Sequence, residues 1–319
     1  MSRNLLLIPQ LNVLNANALS SPCTIGFPAM TAWLGFSHAL QRKLREEALF
    51  NDLCFEGTGV TCHNIQLHTY KGPGDYVSSI VGTANPLDKD GKRPAFIEEA
   101  RCHLVVSLVL EVSGIELHKN NIDTLLERVS HYLSAAMKVA GGDINNFHEP
   151  VIEQVRENGP ESFNRLKHKL MPGHCLLERR DLMQSAMACG QDAMDAMLDY
   201  LAVHHQCVKS ESGKEGGQHE WQSQRRTVGP DGQKGWIVPV AVGFQAITEL
   251  GSAKNQRDPD TPHCFAESVV TLGEFQMPYQ LEQLDQLIWR YHYDAENRLY
   301  LCQQGVSTLG ETESEPDGF

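Results

Sequence analysis

The segment HLVVSLVLEV, residues 103–112, decides the fold. It is β-branched and almost continuously apolar, the composition of a buried strand. Downstream, Ile122, Leu125, Leu126, Val129, Leu133 and Met137 recur at helical intervals. That spacing predicts a helix over residues 121–139, stopped by Gly141 and Gly142. Upstream, residues 53–70 alternate in strand fashion through VTCHNIQLHTY. Between the two strands lies KGPGDYVSSIVGTANPLDKDGKRP, whose Gly, Pro, Asp and Asn predict an inserted hairpin rather than core.

Further out, residues 5–14 predict a first strand, followed by the turn-rich NANALSSP. From Thr31 the spacing becomes helical, with Trp33, Phe36 and Leu40 on one face and Arg42, Lys43 and Arg45 at the C-terminal end, where cations suit the helix dipole. Another strand is expected near residues 170–178. The order β-α-β, hairpin, β-α-β predicts an α+β fold with a ferredoxin-like βαββαβ core, the scaffold of the RNA-recognition fold, over residues 1–180.

Residues 181–319 form an α/β extension: a helix at 182–201, a flexible polar loop at 209–224 and a strand at 235–244. LEQLDQLIWRYHY (residues 281–293) predicts a terminal helix with Trp289 on its apolar face. The acidic end, residues 309–319, is expected to be disordered.

Composition limits what such a fold does. The chain has 319 residues, is 41% hydrophobic and carries a formal charge of −13. Autonomous nucleic-acid binders are usually basic, so an RNA-binding role here requires a local basic groove and partners. Nine cysteines, an odd and scattered number, without a secretory signal point to reduced thiols in a cytoplasmic protein. No window supplies the roughly 20 apolar residues of a membrane helix.

The segments LLLIPQLNVLNANALSSP and GFPAMTAWLGFSHALQRKL resemble the opening of the second Csy-type subunit of type I-F CRISPR complexes, within the Cas-five family. IEEARCHLVVSLVLEV, MKVAGGDI, LMPGHCLLERRDLM, GWIVPVAVGFQAIT and LDQLIW match in the same order. The resemblance implies a subunit that caps the 5′ handle of the guide RNA. It also implies pairing with a large (Cas-eight-type) subunit and a start point for the backbone (Cas-seven-type) subunits. Target DNA beside the protospacer-adjacent motif is a further contact to test. The excursion at residues 69–100 would then be a thumb folded over the RNA.

Unpaired RNA is recognised by stacking on planar side chains and by hydrogen bonds to base edges. Asn15 and Asn17, after the first strand, offer amides for base edges, and Ser20 and Ser21 offer hydroxyls for phosphate. His38, Gln41 and Arg42 fall at i, i+3 and i+4, one polar helix face. Arg101 enters the central strand behind Glu98 and Glu99, suited to an ion pair or to RNA. Trp221, beside Arg225 and Arg226, is the best stacking platform, whereas Trp236 and Trp289 suit the core better.

No active site is expected. Cys62–His63, Cys102–His103, His174–Cys175 and His263–Cys264 are adjacent pairs. On a strand, neighbours point to opposite faces, so none of the first three pairs gives two ligands to one zinc. No metal or cofactor is expected. Some Cas-five relatives cleave guide precursors with a histidine, and His63, His68, His131 and His148 are the residues an endoribonuclease reading would nominate. A ferredoxin-like scaffold that binds protein is the other alternative.

Overall fold

The computed structural model describes residues 2–82, 87, 89–92, 99–156, 159–209, 219–226, 235–256 and 258–305. β1 (Ser2–Asn17) alternates, sending Leu6 and Ile8 to one face and Leu5 and Leu7 to the other. After the short pair β2 (Leu19–Ser21) and β3 (Thr24–Ile25), α1 (Met30–Leu44) lays Trp33, Phe36 and Leu40 over the first face. β4 (Cys54–Leu67) leads into the hairpin of β5 (Thr69–Tyr70) and β6 (Ser79–Ile80), and then β7 (Arg101–Ser113). The last contains the diagnostic apolar segment. α2 (Lys119–Ala135) covers the same face as α1 through Leu125, Val129 and Leu133.

Next come β8 (Lys138–Val139), β9 (Gly142–Asn146) and β10 (Val151–Arg156). β9 and β10 both run along β1, on the side away from β7. The spatial order is therefore β9/β10, β1, β7, β4, with every neighbour antiparallel. The fold is α+β.

The same sheet continues past residue 180. α3 (Pro160–Lys169) precedes β11 (His174–Glu178), which pairs with β4. α4 (Arg180–Ala188), α5 (Ala193–Leu201) and the hairpin of β12 (His204–Lys209) with β13 (His219–Gln224) follow. β14 (Ile237–Ala246), β15 (Ala266–Gln276), β16 (Arg290–Asp294) and β17 (Leu299–Gln303) extend the sheet from β11 in the order β15, β14, β17, β16. The resulting 11-stranded sheet curls, because Trp289, just before β16, bridges back to Thr58 of β4.

The second face of the sheet is only partly covered. Leu5, Leu7 and Val109 pack there against Phe163 and Leu166 of α3 and against Leu284, Leu287 and Ile288. Toward the start of β7, Val105, His103 and Arg101 lie on that same face and are half-exposed. This open half positions the site described below.

Four sequence expectations are corrected. The terminal helix at 281–293 is a 3-10 turn (Leu284–Gln286) followed by β16. Its apolar spacing instead serves an irregular segment buried against α3, while RYHYD favours strand. Trp289 is fully buried, and its indole N–H donates to the Leu176 carbonyl at 3.0 Å. The helix at 182–201 is two helices, broken at Gly190, whose φ is 96°. Gly141 does not cap a long helix: α2 ends at Ala135, and Ala140 and Gly141, both at positive φ, form the two-residue turn between β8 and β9. Of the loop expected at 209–224, residues 219–224 form a strand paired with residues 204–209, and residues 210–218 lie outside the described region. β10, α3 and β15 had no expected counterpart. The acidic end and much of the excursion, residues 83–86, 88 and 93–98, also lie outside it.

Candidate nucleic-acid interface

Two bulges in β1 organise the open half of the sheet. The β1–β7 register slips between Ile8 and Leu11 and again between Val13 and Ala16. Gln10 and Asn15 occupy these bulges with φ of 51° and 56°. A bulge leaves a strand N–H without its ladder partner, and here β7 side chains take both. Gln10 N–H donates to Ser107 Oγ at 3.1 Å, and Asn15 N–H donates to His103 Nδ1 at 3.2 Å. Each acceptor is then held by a histidine from β4 or its end. His63 Nε2 lies 2.7 Å from Ser107 Oγ, and the His68 ring meets the His103 ring edge-on at 4.2 Å.

The cross-strand register shows which other side chains share this face. Asn12 of β1 lies between Asn146 of β9 and Val105 of β7, and Val105 pairs with Asn64 of β4. His103 pairs with Gln66, and Arg101 pairs with Asn17. Directly paired residues point the same way. The open half therefore presents Asn12, Asn64, Gln66 and Asn146 around His103, with Arg101 at its edge. Asn64, Gln66 and Asn146 are exposed. Amides offer donors and acceptors in pairs, the pattern that matches base edges. His68 Nε2 is buried and has no hydrogen-bond partner. Burial first, and His103 second, lower the His68 pKa from its ordinary value.

Of the residues singled out by sequence, Asn15, Asn17 and Arg101 gather at this edge. Asn15 is exposed, and its carbonyl accepts from Arg101 at 3.3 Å. Arg101 also pairs with Glu99 at 2.6 Å, so the ion-pair alternative is realised. The Asn17 side chain folds back on Leu19, accepting its N–H at 3.1 Å and donating to its carbonyl at 3.0 Å. Asn17 and Ser20 line a cleft of about 390 Å³ against the start of α1 and the Ala140–Gly141 turn.

The others stand elsewhere or point inward. Ser21 is buried, with its Oγ 2.6 Å from Thr24 Oγ1. Gln41 is buried and accepts the Phe55 N–H at 2.7 Å, so it leaves the polar face of α1 to His38 and Arg42. Those two are exposed on the helix layer, across the sheet from the amide face. Trp221 is exposed on β13, and Arg225 is exposed just after it. Arg226 pairs with Asp199 and lies over the Tyr200 ring at 4.2 Å, which ties it to α5. Trp236 is half-exposed and packs on Phe275 and His174, so it is not core.

Asn12, Asn64, Gln66, His103 and Asn146 are the members that sequence reasoning missed. Their signal was present: Arg101, His103 and Ser107 recur at even spacing along an otherwise apolar strand, marking its second face as polar. The bulges of β1, which set the register across that face, carry no sequence mark as plain.

Of the nominated histidines, His68 meets His103 edge-on, and His148 N–H donates to the Pro9 carbonyl at 3.0 Å. His63 is bonded at both ring nitrogens, to Ser107 Oγ and at 2.5 Å to the Pro172 carbonyl, and Ser107 is fully buried. His131 packs on Tyr132 of its own helix. All nine cysteines are free, and burial pushes the Cys62, Cys175 and Cys302 thiols up to about 12. No helix among the described residues is long and apolar enough to cross a membrane.

The model of the CRISPR-associated protein family Csy2 matches residues 6–302. The CRISPR-associated protein Csy2 of Pseudomonas aeruginosa (strain UCBPP-PA14) is 32% identical over an alignment of 317 residues, covering 93% of this chain and 94% of that one. The match spans β1, β7, the amide face and the extension alike. The chain belongs to the Csy2 family of CRISPR-associated proteins.

Proposed function

We propose that the chain is a non-catalytic RNA-binding subunit of a type I-F surveillance complex, capping the 5′ handle of the guide RNA. In this role it pairs with a large subunit and gives the backbone subunits their starting point. The observation that carries the reading is the open half-face with Asn12, Asn64, Gln66, Asn146 and His103, edged by Arg101. Amide groups on a sheet suit the edges of splayed, unpaired bases, and aromatic or imidazole rings suit their faces. The strand order β9/β10, β1, β7, β4 with helices on one face supports a ferredoxin-like core, whose free sheet face is where RNA-recognition modules hold single strands.

Charge supports a partner-dependent role. With −13 overall and Arg101 already shared with Glu99, the face lacks the cations for tight binding alone. The β5–β6 hairpin rises from the rim of this face, since Val81 N–H donates to the His68 carbonyl at 3.0 Å. That placement fits a thumb closing on the strand from one side. The His63–Ser107 bond supports a structural rather than a catalytic histidine, because a buried hydroxyl cannot meet a phosphodiester.

The test is a filter-binding titration of handle RNA with the chain alone and with the co-purified large subunit, beside a precursor-cleavage assay. Tight, sequence-selective binding in the pair, weak binding alone and no cleavage by this chain are expected. Binding by the pair that ignores handle sequence, or cleavage that needs a histidine of this chain, overturns the proposal.

A further inference from the structure

Far from the amide face, the distal end of the extension exposes a second feature. Across three strands, Phe244 pairs with Tyr300 and Tyr300 with Tyr293, so the three rings share one face, with Tyr291 next along β16. Ile247 and Phe265, joined by the Ile247 N–H donating to the Phe265 carbonyl at 2.9 Å, follow at the same end but turn to the other face of the sheet. Phe244, Tyr291 and Tyr293 are between 42% and 61% exposed. Isolated exposed apolar residues are ordinary, but four aromatic rings gathered on one sheet face mark a contact surface. β16 ends the strand order, and past the Trp289–Thr58 bridge none of its described residues pairs on the outer side.

The rim identifies the occupant. The turns bounding this end, with the last residue of β16, carry Glu249, Asp258, Asp260, Asp294 and Glu296. Among the described residues there, only Lys254 and Arg298 oppose them, and Arg298 is already paired with Glu249 at 3.0 Å. Five carboxylates around an aromatic centre repel phosphate, so a nucleic-acid strand does not fit despite the rings. A second copy would set the same carboxylates against each other. We infer that this end of the sheet docks a protein subunit whose contact surface is apolar at its centre and basic at its rim. The inference rests on the multi-subunit role proposed above, but not on the RNA site.

Hydrogen exchange tests it, comparing the free chain, the chain with handle RNA alone, and the complex assembled with its protein subunits. Slowed exchange over residues 244–250 and 291–300 is expected in the complex and not with RNA alone. The double charge reversal Asp260→Lys/Glu296→Lys is expected to weaken assembly roughly tenfold or more. Far-UV circular dichroism and the thermal midpoint of the variant check its fold. Phe244→Ser/Tyr293→Ser is expected to weaken assembly as well, by removing the apolar centre. Handle binding is read separately, so its failure bears on the RNA site and not on this surface. Protection by RNA alone, a concentration-dependent homodimer protected over the same residues, or assembly indifferent to the charge reversal overturns the inference.

Discussion

His63 Nε2 lies 2.7 Å from Ser107 Oγ, and the serine is fully buried beneath the first β1 bulge. The bonds order themselves in one direction. Gln10 N–H donates to Ser107 Oγ, Ser107 O–H donates to His63 Nε2, and His63 Nδ1–H donates to the Pro172 carbonyl. A neutral imidazole with its proton on Nδ1 satisfies all three. Burial, opposed by the Pro172 carbonyl and reinforced by His174, lowers the His63 pKa from its ordinary value.

A histidine whose folded pKa is lowered binds fewer protons folded than unfolded. Its contribution to stability is therefore full above the ordinary value of about 6.5 and is lost as pH falls from there toward the folded pKa. Ser107→Ala leaves the Gln10 N–H and His63 Nε2 without a partner and is expected to cost about 1–3 kcal/mol. Urea unfolding at pH 7.5 and pH 5.5 checks both. The wild type should lose stability at the lower pH, and His63→Gln should flatten that loss. An equal loss in His63→Gln would assign it to other groups.

The bulges give a second prediction. Gln10 sits at φ 51° and Asn15 at φ 56°, a region that costs side chains with a Cβ about 1–2 kcal/mol. Gln10→Gly is expected to stabilise by about 0.5–1 kcal/mol, although glycine's freedom in the unfolded chain offsets part of that gain. Asn15→Val, which puts a β-branched side chain in the left-handed region, is expected to destabilise by about 1–2 kcal/mol. Differential scanning calorimetry ranks the three proteins, and an Asn15→Val variant as stable as the wild type would refute the bulge geometry.

These bulges also mark how far the sequence could be followed. Strong periodicity sufficed for β1, α1, β4, β7 and α2, because each buries a continuous apolar stripe. It failed for LEQLDQLIW, where Leu284, Leu287, Ile288 and Trp289 have helical spacing but are buried by two different surroundings, α3 below and β4 beside. Tertiary burial overrode the local pattern there. The candidate site was half legible. Asn15, Asn17 and Arg101 lie where the first strand ends, but Asn64, Gln66 and Asn146 join them only through register, which a one-residue slip would reverse.

The third prediction concerns the charge network joining both ends of the chain. Arg3 donates twice to Glu111, at 2.5 and 2.9 Å, and once to Asp285 at 2.8 Å. Arg290 Nη2 reaches Glu111 at 2.7 Å and Asp285 at 3.2 Å, while its buried Nη1 has no partner. Glu111→Gln leaves two guanidinium groups facing one carboxylate and is expected to cost about 2–4 kcal/mol. Asp285→Asn, at the more exposed corner, is expected to cost less. Urea midpoints compare them, and an equal or reversed ranking contradicts the network.

The last prediction separates the amide face from the helix layer. Asn64→Ala/Gln66→Ala removes two amides from an exposed strand stretch without touching a core side chain. Neutral hydrogen bonds contribute about 1 kcal/mol each, so handle affinity should fall roughly thirtyfold if the two act independently. Arg101→Ala removes the cation at the edge and should lower the slope of log affinity against log salt by about one phosphate contact. Arg42 lies twelve residues along α1 from Met30, about 18 Å at the helical rise, and on the far side of the sheet. Arg42→Ala should therefore leave both affinity and salt slope unchanged, although helical spacing set it with His38 and Gln41 as a candidate RNA contact. The measurement is the filter-binding titration of handle RNA to the two-subunit assembly at 50 and 200 mM salt. Loss of affinity in Arg42→Ala with none in Asn64→Ala/Gln66→Ala would move the RNA to the helix side and abandon the sheet face.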